Sequence, residues 1–316
     1  MESEGEDARQ AQDCILDLHR ASRELGPDEF RVFALDRVGE IVPFDSALWC
    51  RAFFEDGKVR IYSAHDDRLP PGTIEAWRGL EDRDELGAMA FAALGQTVIA
   101  SPARAVAKYP VLIAGLLDRF DLAHFLTTCL VDPYTSLISS LTLTRRAASP
   151  AFTERDRAIK QQLTPHVVEA EVSSRLYSGL AQSRVGASAH AVAIAGDDGM
   201  LEFSSARFAE LLKRGWPGWT GPRLPAEFVD GSGLRRSFRH RGFAIRSEPA
   251  GAASNVVRIR PLQEIDQLSA REAEVARLIV AGCSNKEVGR RLSLSPFTVR
   301  NHLSSLYRKL GISRRG

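Results

Sequence analysis

Residues 268–316 carry helix-start and helix-stop signals at close, regular spacing. Ser269 with Glu272, and Ser284 with Glu287, each fit a capping box, in which a serine hydroxyl and a glutamate carboxylate satisfy free amides of a first helical turn. Gly282 stands between the two boxes, where a left-handed residue commonly ends a helix. This pattern predicts two short helices in succession.

A third helix is predicted directly after the second, beyond a tight turn at Ser293 and Leu294. Ser295 is placed to cap it, and Pro296 occupies its first position, where no amide is needed. Its apolar residues recur at steps of three and four, as one buried side of a helix requires. They are Val299, Leu303, Leu306 and Leu310. Two short helices joined by a tight turn, the second with a basic and polar outer side, form the arrangement that places a helix in the major groove of DNA.

Charge is distributed unevenly along the chain. The formal net charge is +2 over 316 residues, but residues 268–316 contain ten Lys and Arg against three Asp and Glu, a net of +7. The first 267 residues therefore sum to −5. A basic module attached to a mildly acidic body is typical of a nucleic-acid binder with a separate sensor part.

Spaced residues across this segment resemble the LuxR-type helix-turn-helix signature. They include Leu268, Glu274, Val275, Asn285, Lys286, Val288, Leu294, Thr298, Arg300, His302, Tyr307, Ile312 and Arg315. The resemblance implies a DNA-binding transcriptional regulator whose partner is double-stranded operator DNA, with RNA polymerase as a further partner. Two positions depart from the family. Gly289 stands where Ala is usual, and the chain stops at Gly316, where the family continues into a fourth helix that often mediates dimer contacts. A homodimer is therefore expected to form through the sensor part.

The resemblance also implies roles for side chains of the recognition helix, residues 296–310. Base contacts are assigned to Arg300, Asn301 and Ser304 on its outer side, since Arg with guanine and Asn with adenine are geometrically favoured pairs. Phosphate contacts fix register without reading sequence. They are assigned to Ser284, Asn285, Lys286, Thr298, Arg308 and Lys309. For the last two, a solvated helix C-terminus is the alternative.

Residues 1–262 are predicted to be two mixed units, so the fold class is α+β. Two helices, a β-hairpin turning at residues 55–57, further strands and a long helix from residue 152 resemble in their order a GAF-like sensor domain over residues 1–182. Residues 183–262 show strand, turn, strand, helix and two more strands, which resembles a small PAS-like unit. Residues 263–316 then form an all-α helix-turn-helix DNA-binding domain.

Six residues are candidates for lining a ligand cavity in the sensor, with an unknown small molecule as the implied ligand. They are Trp49, Tyr62, His65, Trp77, Phe91 and Phe125. For each of them, a plain core aromatic position is the alternative. Along the long helix, apolar residues recur at steps of mostly four from Ile159 to Leu180, which predicts a dimer contact, with packing against the helix's own domain as the alternative.

Catalytic, metal and cofactor chemistry is not expected. The sequence has no GxxxxGK[ST] phosphate loop, no His/Cys cluster and no nucleophile elbow. Its four cysteines form no CxxC pair. The acidic N-terminus is unlike a signal peptide, and no apolar run approaches the ~18 residues of a membrane span, so a cytoplasmic protein is predicted.

Two other functions stay open. One is an acyl-homoserine-lactone quorum-sensing receptor, whose ligand domain holds the lactone with a spaced Trp–Tyr–Asp–Trp set. The residues Trp49, Tyr62, Asp66 and Trp77 do not match the spacing of such a set convincingly. The other is an enzyme with a regulatory DNA-binding tail, for which the sequence offers no paired catalytic motif.

Overall fold

A computed structural model describes residues 2–78, 85–100, 115, 117–182, 191–251 and 253–312 of the chain. The backbone divides into two compact units, Met1–Arg236 with Ser247–Arg258, and Ser237–Arg246 with Ile259–Gly316. Helices and strands are mixed along the chain, which confirms the predicted α+β class. Among the described residues, no helix has both the length and the apolar composition that a membrane crossing requires.

The first unit begins with two helices, a five-stranded sheet and one long helix. The elements are α1 (Glu2–Ala21), α2 (Pro27–Ile41), β1 (Ser46–Glu55), β2 (Lys58–Asp67), α3 (Thr73–Trp77), α4 (Glu85–Ala92), β3 (Thr97–Ala100), β4 (His124–Val131), β5 (Ile138–Arg145) and α5 (Glu154–Gln182). The strand order is β2-β1-β5-β4-β3, and each neighbouring pair is antiparallel. The predicted hairpin is present, and its turn places Asp56 and Gly57 at left-handed φ angles of 52° and 74°.

The two faces of this sheet have different coverings, because side chains alternate along a strand. On one face, Trp49 and Leu141 belong to a buried core shared with α1, α2 and α5. On the opposite face, Cys50, Thr127 and Ser140 border a cavity that α3 and α4 also line. The sheet therefore separates a filled helical core from a hollow side.

The chain continues into a second, smaller sheet. The elements that follow α5 are β6 (Val192–Gly196), β7 (Leu201–Ser204), α6 (Ala206–Gly215), β8 (Val229–Asp230), β9 (Gly233–Leu234), β10 (Ser237–His240), β11 (Phe243–Pro249) and β12 (Ser254–Pro261). Strands β8 and β9 pair with each other as a separate two-stranded sheet. In the first unit, β6 pairs antiparallel with β7 on one side and with β12 on the other. Leu176 and Leu180, near the end of α5, pack against Val192, Ile194 and Val256 of this sheet. Helix α5 therefore contacts both sheets.

This packing bears on the predicted dimer contact of α5. Ile159, Leu163 and Val167 lie in the core beneath the first sheet, and Leu176 and Leu180 lie against the second. The apolar stripe is long because it serves two sheets in succession. Its first part is buried in the chain's own core, and its second part, with Leu176 and Leu180, is partly buried. These contacts favour the alternative, packing against the helix's own domain, and the dimer contact stays a prediction.

The second unit contains a β-hairpin and a three-helix domain. Strand β10 pairs antiparallel with β11, from Ser237 opposite Arg246 to His240 opposite Phe243. The helices are α7 (Ala270–Val280), α8 (Asn285–Leu292) and α9 (Pro296–Lys309). Their shared core contains Val275, Cys283, Val288, Val299 and Leu303. The three predicted helices are confirmed.

The proposed division into residues 1–182, 183–262 and 263–316 stays a prediction. Its first boundary falls at residue 183, which lies outside the described residues, as does Arg315 of the C-terminal signature.

Candidate nucleic-acid interface

Reciprocal caps fix the starts of α7 and α8. The Ser269 amide donates to Glu272 Oε2 at 2.7 Å, and Ser269 Oγ accepts from the Glu272 amide at 3.2 Å. Ser284 and Glu287 repeat this pair at 2.7 and 3.3 Å. Both predicted capping boxes are confirmed, and each helix therefore starts at a position set by its own sequence.

The turn between α8 and α9 brings the two helices very close. Ser293 takes a left-handed φ of 54°, and the Leu294 amide donates to the Gly289 carbonyl at 2.8 Å. A Cβ at Gly289 would lie 2.9 Å from the Leu294 carbonyl oxygen, so a larger residue needs the backbone to shift. Ser295 Oγ then accepts from the Thr298 amide at 3.1 Å and starts α9.

Helix α9 has one buried side and one exposed side. The buried side consists of Val299, Leu303 and Leu306, each at most 5% exposed. The exposed side carries the three predicted base-contact residues, Arg300, Asn301 and Ser304. These six positions follow from helical periodicity, because residues three and four apart share a side. The domain thus presents a polar, basic helix surface backed by a packed core.

The predicted phosphate-contact residues have different surroundings. Ser284, Lys286 and Arg308 are exposed, whereas Asn285, Thr298 and Lys309 are half-buried. The Lys309 ammonium donates to Glu272 Oε2 at 2.7 Å, which ties the end of α9 to the start of α7. A phosphate contact by Lys309 would have to compete with this ion pair.

The acidic residues of the domain are engaged by local partners. Hydrogen bonds from the Lys309 ammonium and the Ser269 amide lower the pKa of Glu272 to about 2. Glu274 forms an ion pair with Arg271 at 2.7 Å. Glu287 accepts from the amide and hydroxyl of its own cap residue, and these bonds lower its pKa. Each of these three glutamates is therefore engaged by a neighbouring donor or cation.

Two exposed arginines at the end of α8 were missed in the sequence. In the part of the chain that the structure describes, Lys286, Arg290, Arg291, Arg300 and Arg308 form no ion pair with a carboxylate. Consecutive arginines in a segment of net charge +7 were the signal that could have identified Arg290 and Arg291. Together the five residues give the domain an excess of unpaired positive charge.

The six candidate ligand residues fall into two groups of three on opposite faces of the first sheet. Trp77, Phe91 and Phe125 line an apolar cavity of about 130 Å³. Trp49, Tyr62 and His65 line a second cavity, of about 290 Å³, together with charged side chains. The structure therefore brings together two separate sets rather than one pocket.

The apolar cavity has a row of hydroxyl groups on its sheet side. Thr127 Oγ1 and Thr142 Oγ1 lie 3.1 Å apart across β4 and β5. Ser140 and Thr144 also border the cavity. Because these hydroxyls are surrounded by leucine, isoleucine and aromatic side chains, the cavity suits a small, mainly apolar molecule with a few polar atoms.

Residues 266–315 match the family model described as bacterial regulatory proteins, luxR family. A putative HTH-type transcriptional regulator of Escherichia coli, YhjB, is 45% identical over 56 residues, which are 18% of this chain and 28% of that protein. A second one, Rv0890c of Mycobacterium tuberculosis, is 43% identical over 58 residues, 18% of this chain and 7% of that protein. The chain thus spans less than a third of the length of these curated relatives.

Among solved structures, Escherichia coli SdiA aligns with 95% of this chain and 92% of its own, at 12% identity and a TM-score of 0.41. A likeness this distant carries no functional assignment. The match over residues 266–315 confirms the predicted resemblance of the C-terminal helices.

Proposed function

We propose that this chain, whose residues 266–315 form a LuxR-type helix-turn-helix domain, is a transcriptional regulator that reads operator DNA with α9 in the major groove. The observation that carries the proposal is the division of α9 into a buried apolar side and an exposed side with Arg300, Asn301 and Ser304. A helix held in this way can enter the groove without disturbing its own core. Because a protein that binds operator DNA acts in the compartment that holds the DNA, we expect it to be cytoplasmic, with RNA polymerase as a further partner.

Base reading is assigned to the exposed side of α9. Arg300 suits the acceptor pair of guanine, and Asn301 suits the edge of adenine. Ser304 lies one turn after Arg300 and reaches the next step of the groove. Each well-formed bidentate pair discriminates against a wrong base by about 1–3 kcal/mol.

Phosphate contacts are assigned to residues around this surface. They are Ser284, Asn285, Lys286, Thr298, Arg308 and Lys309, and we add Arg290 and Arg291 because both are exposed. Exposed cations without carboxylate partners can neutralise phosphates without first breaking an ion pair. Lys309 is the exception, because Glu272 already holds its ammonium.

The test measures binding of the full chain to DNA selected from a random pool, by fluorescence anisotropy. With six or more phosphate contacts, the affinity should fall by about 10³-fold between ~50 and ~200 mM salt. Arg300→Ala should flatten the preference among mutated operators, whereas Lys286→Ala should weaken binding to all of them equally. Arg60→Ala on β2, which removes the same charge from the first unit, serves as the control and should change neither. Identical profiles for Arg300→Ala and Lys286→Ala would contradict the assigned roles.

A small apolar ligand in the 130 Å³ cavity is the proposed input to the regulator. Ala90 is 2% exposed and borders this cavity, whereas its neighbour Met89 is 46% exposed. Ala90→Phe should therefore fill the cavity and abolish co-purification of a small molecule, as seen by native mass spectrometry, while Met89→Phe should not. A ligand that stays bound to the Ala90→Phe protein would place the site elsewhere.

A homodimer is proposed because operators of such domains contain two half-sites, which need two recognition helices in fixed relation. Ile159, Leu163 and Val167 of α5 are buried in the chain's own core, so they are not proposed as its interface. Analytical ultracentrifugation of the full chain at tens of micromolar should give twice the mass of 34.8 kDa. A single species at the monomer mass of 34.8 kDa would exclude a dimer in the absence of DNA.

A further inference from the structure

The polar cavity on the helical side of the first sheet is unusual in its charges. It has a volume of about 290 Å³ and lies among β1, β2, α5 and β7 of the first unit. Three arginines line it, namely Arg31, Arg51 and Arg175, and Glu202 is the carboxylate in its wall. The aromatic rings of Trp49 and Tyr62 complete it.

Two of the three arginines are fully engaged by carboxylates. Arg175 donates to Glu171 at 2.7 Å and to Glu202 at 3.0 Å. Arg31 donates to Glu171 at 3.0 Å and to the exposed Asp28 at 2.8 Å. Glu171, which is buried, and Glu202, which is half-buried, therefore bind these two guanidinium groups.

Arg51 is the third arginine, and it is only 5% exposed. Its Nη2 donates to the backbone carbonyl of Glu202 at 2.6 Å. Its Nε and Nη1 have no hydrogen-bond partner within the described ranges, and no carboxylate there forms an ion pair with it. Burial and the nearby positive charge of Arg175 lower the pKa of Arg51.

A buried cation without a carboxylate bonded to it is costly, because it has lost its water and shares the charges of Glu171 and Glu202 with the other arginines. Neither remaining titratable group of the lining offsets it, and burial raises the pKa of Tyr62 to about 12, so its phenol is neutral at pH 7. Burial and the charge of Arg31 lower the pKa of His65, so its imidazole is neutral at pH 7. Glu171 and Glu202 bind Arg175 and Arg31, and Asp28 binds Arg31 from the surface, so among the described residues Arg51 is the guanidinium of this lining that has no carboxylate bonded to it.

We propose that this cavity is a binding site for a small monocarboxylate, whose carboxylate oxygens accept hydrogen bonds from Arg51. The negative charge of the ligand offsets that of Arg51, and its oxygens satisfy Nε and Nη1. The volume is several times that of a water molecule, and Trp49 offers an apolar wall, so the ligand has a carbon skeleton as well as its charge. The site rests on the cavity alone and is independent of the proposed DNA binding.

The position of the site gives the ligand a route to influence the chain. Arg51 belongs to β1 of the first sheet, and its Nη2 bond goes to Glu202 on β7 of the second. Arg175 links Glu202 to Glu171 on α5. A carboxylate bound to Arg51 therefore adjoins the contacts that join the two sheets of the first unit, and its binding stabilises their arrangement.

The test uses thermal unfolding of the full chain with sodium benzoate or sodium acetate as probes, against sodium chloride and sodium phosphate at equal ionic strength. At ten times its dissociation constant, benzoate should raise the Tm by about 3 °C, and titration calorimetry should give one site per chain. Chloride should give no saturable change. Equal shifts with chloride and benzoate would overturn the proposal, and a larger shift with phosphate would overturn the carboxylate class.

Two variants make the test specific. Arg51→Met keeps the length of the side chain without its charge and should weaken benzoate binding at least tenfold, whereas Arg60→Met on the neighbouring strand should bind like the parent. Ala64, which is exposed and borders the cavity, provides a second variant that does not alter a buried charge. Ala64→Phe should obstruct the cavity and abolish the benzoate shift. Parental binding by both Arg51→Met and Ala64→Phe would refute the site.

Discussion

Replacing Glu171 by Gln should destabilise the first unit strongly. Glu171 lies on α5 with 2% of its surface exposed and accepts hydrogen bonds from Arg175 Nε at 2.7 Å and Arg31 Nη2 at 3.0 Å. Burial alone would raise the pKa of Glu171, but the charges of Arg175, Arg51 and Arg31 outweigh burial and lower it to about 2. Gln keeps the shape of the side chain and removes the charge that these arginines share.

The size of the effect follows from that pKa. A fall from the ordinary 4.5 to about 2, at about 1.4 kcal/mol per pH unit, favours the folded state by about 3 kcal/mol at neutral pH. Losing one partner of a buried ionic cluster costs a similar amount, about 3–5 kcal/mol. Because the folded pKa is the lower one, this stabilisation is complete above about pH 5 and disappears as the pH falls towards 2. At pH 7, Glu171→Gln should lower the Tm by about 6–12 °C.

The assay is urea unfolding followed by circular dichroism, at pH 7 and at pH 3.5. Asp28→Asn is the matched control, because Asp28 binds the same Arg31 at 2.8 Å but its side chain is 92% exposed. It should cost less than about 1 kcal/mol, as exposed ion pairs do. The reasoning is refuted if Glu171→Gln stays within 1 kcal/mol of the parent at pH 7, or if the difference between them does not shrink at pH 3.5.

Three further outcomes are expected. Burial lowers the pKa of Lys160 to about 7. The folded chain therefore loses this proton near pH 7, whereas the unfolded chain keeps it up to about pH 10, so the free energy of unfolding should rise with pH between these values. Urea titrations should show this rise in the parent and not in Lys160→Met. Gly289→Val should cost about 1–3 kcal/mol by overpacking, since a Cβ at Gly289 would lie 2.9 Å from the Leu294 carbonyl; an unchanged urea midpoint would argue against it. Glu272→Gln should reduce the loss of folding free energy between about pH 4.5 and 2, because the bond from Lys309 lowers the pKa of Glu272 to about 2. Far-ultraviolet circular dichroism measured against pH checks this, and a variant that loses structure with the same pH dependence as the parent would contradict it.

The features that the sequence predicted well are those that depend on neighbouring residues. A capping box needs only residues three positions apart, so Ser269 with Glu272 and Ser284 with Glu287 could be identified before any fold was known. The sides of α9 follow in the same way from helical periodicity. The hairpin turn needed only the preference of Asp56 and Gly57 for left-handed backbone.

The features that were missed depend on contacts between distant parts of the chain. Lys309 meets Glu272 across 37 residues, and nothing local distinguishes it from the exposed Arg308. The division of Trp49 from Trp77 depends on which face of the sheet the helices cover. Arg51 is charged in a strand of otherwise mostly apolar residues, and only the fold shows that it is buried with two nitrogens that have no hydrogen-bond partner among the described residues.

The packing of helix α5 against two sheets limits which insertions into this helix the architecture tolerates. Its 29 residues span about 44 Å at 1.5 Å per residue, with Val167 packed under the first sheet and Leu176 against the second. One residue inserted between these positions would turn Leu176 by about 100° away from its sheet. Seven residues, close to two full turns, would restore its direction. Chains that share this helix should therefore differ there by near-multiples of seven, and a chimaera joined within it should function only when the two halves keep that phase.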